Sequence, residues 1–258
     1  MEPGSLRRHR FPGGTAFSGQ PTPFFARYPI ANPRPVRALQ HPGFSLLETR
    51  MRPTGLSADI HLHGPLPPST VHLCVDMQRL FGPEGPWATP WLERTLPRIV
   101  ALAARDPART IFTRFIPPLH AEDLPGMWQR YYRRWRNVTR ACLDPALLEL
   151  LPELAPLVPP ATVIDKPVYS PFTGSGLLAH LRERGADTLV VSGAETDVCV
   201  LATVLGAVDH GYRVVVVTDA ICSSSDTGHD ALLTLYRGRF SEQIEIADTA
   251  AVLDLWPQ

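Results

Sequence analysis

Apolar and polar positions along this chain switch repeatedly between two periods. Short, nearly continuous apolar runs are followed by longer stretches with helical spacing. Val71-His-Leu-Cys-Val75, closing on Asp76, reads as a strand buried on both faces, and helical spacing follows over 90–104. The next strand is expected from Arg109 to Phe115. Helices follow over 126–140 and 144–151, the second opening at Asp144-Pro145, a cap with proline in the first turn. Further strands are expected over Thr162–Asp165, Thr188–Ser192, Arg213–Thr218 and Gln243–Ile246, with helices over 174–184, about 197–210, 227–238 and 248–256. This alternation predicts an α/β fold: a three-layer αβα sandwich around an open, Rossmann-like parallel sheet of about six strands.

Residues 1–69 break the pattern. They hold 12 of the 28 prolines and seven glycines, with eight arginines against three acids, and no period persists. An extension that is disordered or loosely packed is expected there, ahead of one domain over 70–258. Met51 would serve as an alternative start. The 25 basic and 25 acidic residues balance, which argues against a nucleic-acid or membrane-surface protein. No apolar run approaches the ~18 residues of a membrane-spanning helix. The four cysteines, at 74, 142, 199 and 222, include no CxxC pair. They read as free thiols in a reducing compartment, and a cytoplasmic location is expected.

Basic residues divide unevenly: 24 are arginine and one, Lys166, is lysine. A compact ammonium fits between two small groups where a guanidinium does not. In open α/β sheets ligands collect at the carboxyl ends of the strands. Asp76 ends the first strand, Lys166 the third, and Cys199 opens the helix after the fourth. Singly, each has a plain reading: a cap, a side chain reaching solvent, a small buried hydrophobe. Together they make a reactive centre. A helix start and a neighbouring ammonium favour a thiolate, and a carboxylate can accept the thiol proton.

Three segments carry a family resemblance: Val75-Asp76-Met77-Gln78, Asp165-Lys166-Pro-Val-Tyr169-Ser170-Pro-Phe172, and Ser192-Gly-Ala-Glu-Thr-Asp-Val-Cys199-Val200. In order and spacing they resemble the signatures of the isochorismatase-like cysteine hydrolases, over roughly 70–256. The resemblance implies a catalytic triad of Asp76, Lys166 and Cys199. It also implies a cis peptide at Ala194–Glu195 and an oxyanion hole from the backbone N–H groups of Glu195 and Cys199. Gln78, Tyr169 and Phe172 would line the substrate pocket. The implied reaction is hydrolysis of a C–N bond in a small amide, carbamoyl or ureido compound through a thioester, with no cofactor and in a homo-oligomer. Two alternatives stay open: ether hydrolysis, for which the family needs no thiol, and a catalytically silent binding or scaffold protein. The metal-binding D-x-H segment of nicotinamidases is missing, since the aligned stretch reads Thr113-Arg-Phe-Ile-Pro-Pro-Leu-His120. His120 alone makes a poor metal site, so no metal is expected.

Met127-Trp-Gln-Arg-Tyr-Tyr-Arg-Arg-Trp-Arg136 places Trp128, Tyr131, Tyr132 and Trp135 on one helical face. Interleaved aromatics and arginines can bind single-stranded nucleic acid. The net charge argues instead for an aromatic face set against the site mouth or a neighbouring subunit, with Arg130 placed to meet a substrate carboxylate or ureido oxygen. Gly174-Ser-Gly176-Leu-Leu-Ala179 matches a dinucleotide fingerprint only formally, because no strand runs straight into it. Asp219 and His229 read as structural.

Overall fold

The structure, a computed structural model, describes residues 62–257. Most of the expected N-terminal extension therefore lies outside the described residues. Six strands form one parallel sheet: β1 (Val71–Val75), β2 (Thr110–Phe115), β3 (Thr162–Lys166), β4 (Thr188–Ala194), β5 (Arg213–Cys222) and β6 (Ile244–Ala247). Their order is β3-β2-β1-β4-β5-β6, so chain direction across the sheet reverses between β1 and β4.

Successive side chains of a strand face opposite sides, and the two cores show it. Cys74, Val190, Val215 and Val217 face the layer containing α1 (Leu92–Arg105), α2 (Met127–Arg134) and α6 (Thr249–Leu255). Leu73, Val191, Val214 and Val216 face α3 (Leu177–Glu183), α4 (Leu201–Asp209) and α5 (Asp226–Gly238). The expected three layers are present. Polar groups on the buried strands find partners across them: His72 Nε2 lies 2.7 Å from Ser192 Oγ, and burial pushes the His72 imidazole down to about 3.

The helix expected over 126–140 is shorter, Met127–Arg134, followed by a 3₁₀ turn at Arg136–Val138; two further differences have a tertiary cause. The helix expected over 144–151 is a single 3₁₀ turn, Pro145–Leu148. Gln78 takes the Leu148 carbonyl at 2.9 Å and the Leu151 N–H goes to the Met77 carbonyl at 3.0 Å, so neither serves a continuing helix. Strand β5 runs past the expected Thr218 because, beyond a bulge, Ile221 and Cys222 pair again with Gly193 and Ala194. Gly193 has φ +111°, and a Cβ there would sit 2.1 Å from the Val75 carbonyl oxygen. Only glycine lets β1 and β4 approach this closely. Residues 62–69 run against the domain: Leu66 is buried, Arg213 holds the carbonyls of Gly64 and Pro65, and the His63 N–H donates to Glu245.

Candidate active site

The reversal between β1 and β4 brings the three chemically distinctive residues together. Asp76 leaves β1 with φ 51°, a left-handed conformation that non-glycine residues adopt at a cost. It is held there because its N–H reaches the Thr113 carbonyl at 3.1 Å and the Thr113 hydroxyl donates to its Oδ1 at 2.6 Å. Its other oxygen, Oδ2, lies 2.7 Å from Lys166 Nζ. Lys166, the last residue of β3, also donates to Cys199 Sγ at 3.3 Å and to the Val168 carbonyl at 3.1 Å. The Phe115 ring centroid lies 4.9 Å from the same ammonium. Asp76 and Lys166 are completely buried.

Cys199 lies inside a π-helical turn, Thr196–Val200, that precedes α4. Three side chains pin the turn: Thr196 Oγ1 is 2.9 Å from His229 Nδ1, the Ser223 hydroxyl donates to Asp197 at 2.6 Å, and Glu195 Oε1 accepts the Ser224 N–H at 2.9 Å. The Ala194–Glu195 peptide is cis.

Charge at the centre is set by mutual contact. Burial alone would lower Lys166, but Asp76 and Cys199 outweigh it and hold the ammonium above its ordinary range. Burial pushes the Cys199 thiol well up, the Asp76 charge adds to this, and Lys166 opposes it. Burial and the Asp76 charge thus work against the thiolate that the helix start and Lys166 favour.

Cys199 opens onto a cavity of about 480 Å³. Tyr169 and Glu195 line it, as does the aromatic face of α2 through Tyr131, with Trp135 at the end of that helix. Three residues expected in the pocket do not line it. Gln78 is fully buried, and its amide is used by backbone: its NH₂ reaches the carbonyls of Phe115 and Leu148, and its oxygen takes the Phe115 N–H at 2.7 Å. Phe172 turns to the opposite side of the sheet, its ring 5.1 Å from His210 and against Gly206 of α4. Arg130 is exposed, on the face of α2 turned away from the aromatic row.

Other lining groups were not singled out from sequence, chiefly Trp87, Phe81 and Phe115. Phe115 ends a strand that the pattern showed. Trp87 comes from the Gly82–Pro90 loop, where no periodicity marks a side chain as inward. Asp219 and His229 have structural contacts: Asp219 takes the Thr249 N–H at 2.8 Å, and the His229 ring lies against Trp91. Among the described residues no group of three His, Cys, Asp or Glu side chains is placed to hold a metal. No helix there is long and apolar enough to cross a membrane.

The isochorismatase domain family matches residues 70–248. A cysteine hydrolase from Pseudomonas syringae pv. phaseolicola superposes with a TM-score of 0.63 at 25% identity, covering 79% of this chain and 97% of that one. The maleamate amidohydrolase of Pseudomonas putida is 28% identical over 120 residues, which is 46% of this chain and 54% of the relative. The ureidoacrylate amidohydrolase of Methylorubrum extorquens is 29% identical over 202 residues, 69% and 76% of the two chains. The chain spans about half, or less, of the length of several curated relatives that it matches.

Proposed function

The chain belongs to the isochorismatase family of hydrolases, and we propose that it is a cysteine amidohydrolase that cleaves a C–N bond in a small amide, carbamoyl or ureido substrate. One observation carries the reading: a single ammonium, Lys166 Nζ, lies 2.7 Å from Asp76 Oδ2 and 3.3 Å from Cys199 Sγ, and Cys199 lines a cavity large enough for a small molecule.

The chemistry follows from that arrangement. As the substrate carbonyl arrives, Asp76 takes the thiol proton and the Cys199 sulfur bonds to the carbonyl carbon. Lys166 remains between the carboxyl group and the sulfur, so negative charge passing between them stays next to a cation. The carbonyl oxygen becomes an oxyanion, received by the backbone N–H groups of Glu195 and Cys199. Collapse breaks the C–N bond, and protonated Asp76 returns its proton to the departing nitrogen. Asp76 then deprotonates a water that attacks the thioester, releasing the carboxylate product and the free thiol. The protein's own residues supply the acid, base and nucleophile. The enzyme is further proposed to work as a cytoplasmic homo-oligomer.

The test is ammonia or amine release from a panel of small amides and ureas, with mass mapping of the Cys199 peptide during turnover. An acyl adduct on Cys199, and a loss of roughly 10,000-fold or more in Cys199→Ala, is expected. Ether hydrolysis that survives Cys199→Ala, with no adduct, would replace this reading by the ether-cleaving one. A catalytically silent protein would show neither activity.

A further inference from the structure

The wall of the cavity is chemically one-sided. Six aromatic side chains line it: Phe81, Trp87, Phe115, Tyr131, Trp135 and Tyr169. Among the described residues no arginine, lysine or histidine side chain is one of the lining groups, and Glu195 is the one charged residue that is. Trp87 is the hub, its ring centroid 5.9 Å from Trp135 at 83° and 6.2 Å from Tyr131 at 55°. Rings at such angles form walls of an enclosure and not a flat stack. Glu195 spends Oε1 on the Ser224 N–H, and its second oxygen has no hydrogen-bond partner among the described residues. The ammonium beside Cys199, Lys166, is completely buried and already paired with Asp76.

From this we infer that the cavity selects amides whose end remote from the scissile bond carries a positive charge, an ammonium or quaternary ammonium group held by the aromatic wall and Glu195. The inference rests on the amidohydrolase reading for the scissile bond, but the recognition of the cation does not depend on turnover. Ring faces are electron-rich and attract cations, most strongly where water is excluded. An anionic substrate would meet those same faces, and an unneutralised carboxylate, with no cation in the wall to receive it. Arg134 lies 5.8 Å from the Trp135 centroid without lining the cavity, an example of the same attraction at the edge of the wall.

The experiment compares three compounds of similar size: trimethylammonioacetamide, its neutral isostere 3,3-dimethylbutanamide, and anionic succinamate. Binding is measured by calorimetry on full-length Cys199→Ser, with tetramethylammonium as a probe lacking the amide, and turnover is measured on the wild type. Binding of the cation ten- to thirty-fold tighter than the isostere is expected, with succinamate weakest. Glu195→Gln is expected to bring that ratio down several-fold. Trp87→Leu is expected to do the same, and it serves as the second variant because Glu195 also pins the turn that carries Cys199. Equal or tighter binding of the neutral isostere or of succinamate overturns the inference, as does failure of both cations to saturate at millimolar concentration. A clear cation preference in binding without ammonia release from any amide would sink the amidohydrolase reading and leave the cation site standing.

Discussion

The site has two regions built on opposite principles. Behind Cys199, every charged or polar atom is committed: Asp76 to Thr113 and Lys166, Lys166 to Asp76, Cys199 and Val168. Around the cavity, buried and half-buried rings meet one another at 4.8–6.2 Å, and among the described residues only Glu195 brings charge. The first region is held by strand ends and leaves no room for variation. The second hangs on a loop and a short helix, where side chains can change without disturbing the sheet. On the proposed function, reaction type and substrate choice rest on largely separate side chains, with Phe115 shared between them.

That separation predicts a graded series of effects. Lys166→Met leaves the Asp76 carboxylate buried without its partner, so unfolding free energy should fall by about 3–5 kcal/mol, read from the urea midpoint. A loss under about 1 kcal/mol would mean the ion pair is dispensable to the fold. Wall substitutions should behave differently. Trp135→Ala should raise KM about tenfold and change kcat by less than about threefold, measured on whichever amide is turned over. An equal fall in kcat would place Trp135 among the groups that position the reacting atoms.

Acid should act on the sheet beneath the site and not on the wall. The His72 imidazole has its folded pKa lowered from 6.5 to about 3 by burial. Between these values the unfolded chain binds one more proton than the folded one, so stability falls as pH falls. The slope from this group is about 1.4 kcal/mol per pH unit. Chemical denaturation at several pH values should show that component, and His72→Asn should remove it. At the small end, Arg130→Ala should change KM by less than about twofold, because the exposed guanidinium lies off the cavity. A larger change would bring Arg130 back as a substrate contact.

The comparison also explains what was legible in the sequence. Buried strands show as apolar runs because both faces meet helices, and Asp76, Lys166 and Cys199 stood out as reactive residues at the ends of such runs. The wall left a weaker trace. The i, i+3, i+4, i+7 spacing of Trp128, Tyr131, Tyr132 and Trp135 revealed an aromatic face and left its target between the site mouth and a neighbouring subunit; Tyr131 and Trp135 line the cavity. Trp87 sits in an aperiodic loop and could be placed only by the fold. Gln78 and Phe172 show the opposite failure. Gln78 lies two residues past Asp76 and Phe172 six past Lys166, both beyond the strand ends where no alternation fixes a side chain's direction, and backbone contacts or the far core claim them.

The solitary lysine has a practical consequence. Lys166 is completely buried, so the side chains of the chain present no accessible primary amine. Reagents such as activated esters, aldehyde surfaces and amine-directed dyes should therefore leave the side chains of the folded protein unmodified. A side-chain amine that did couple, at Lys166, would report that the centre of the molecule has come apart.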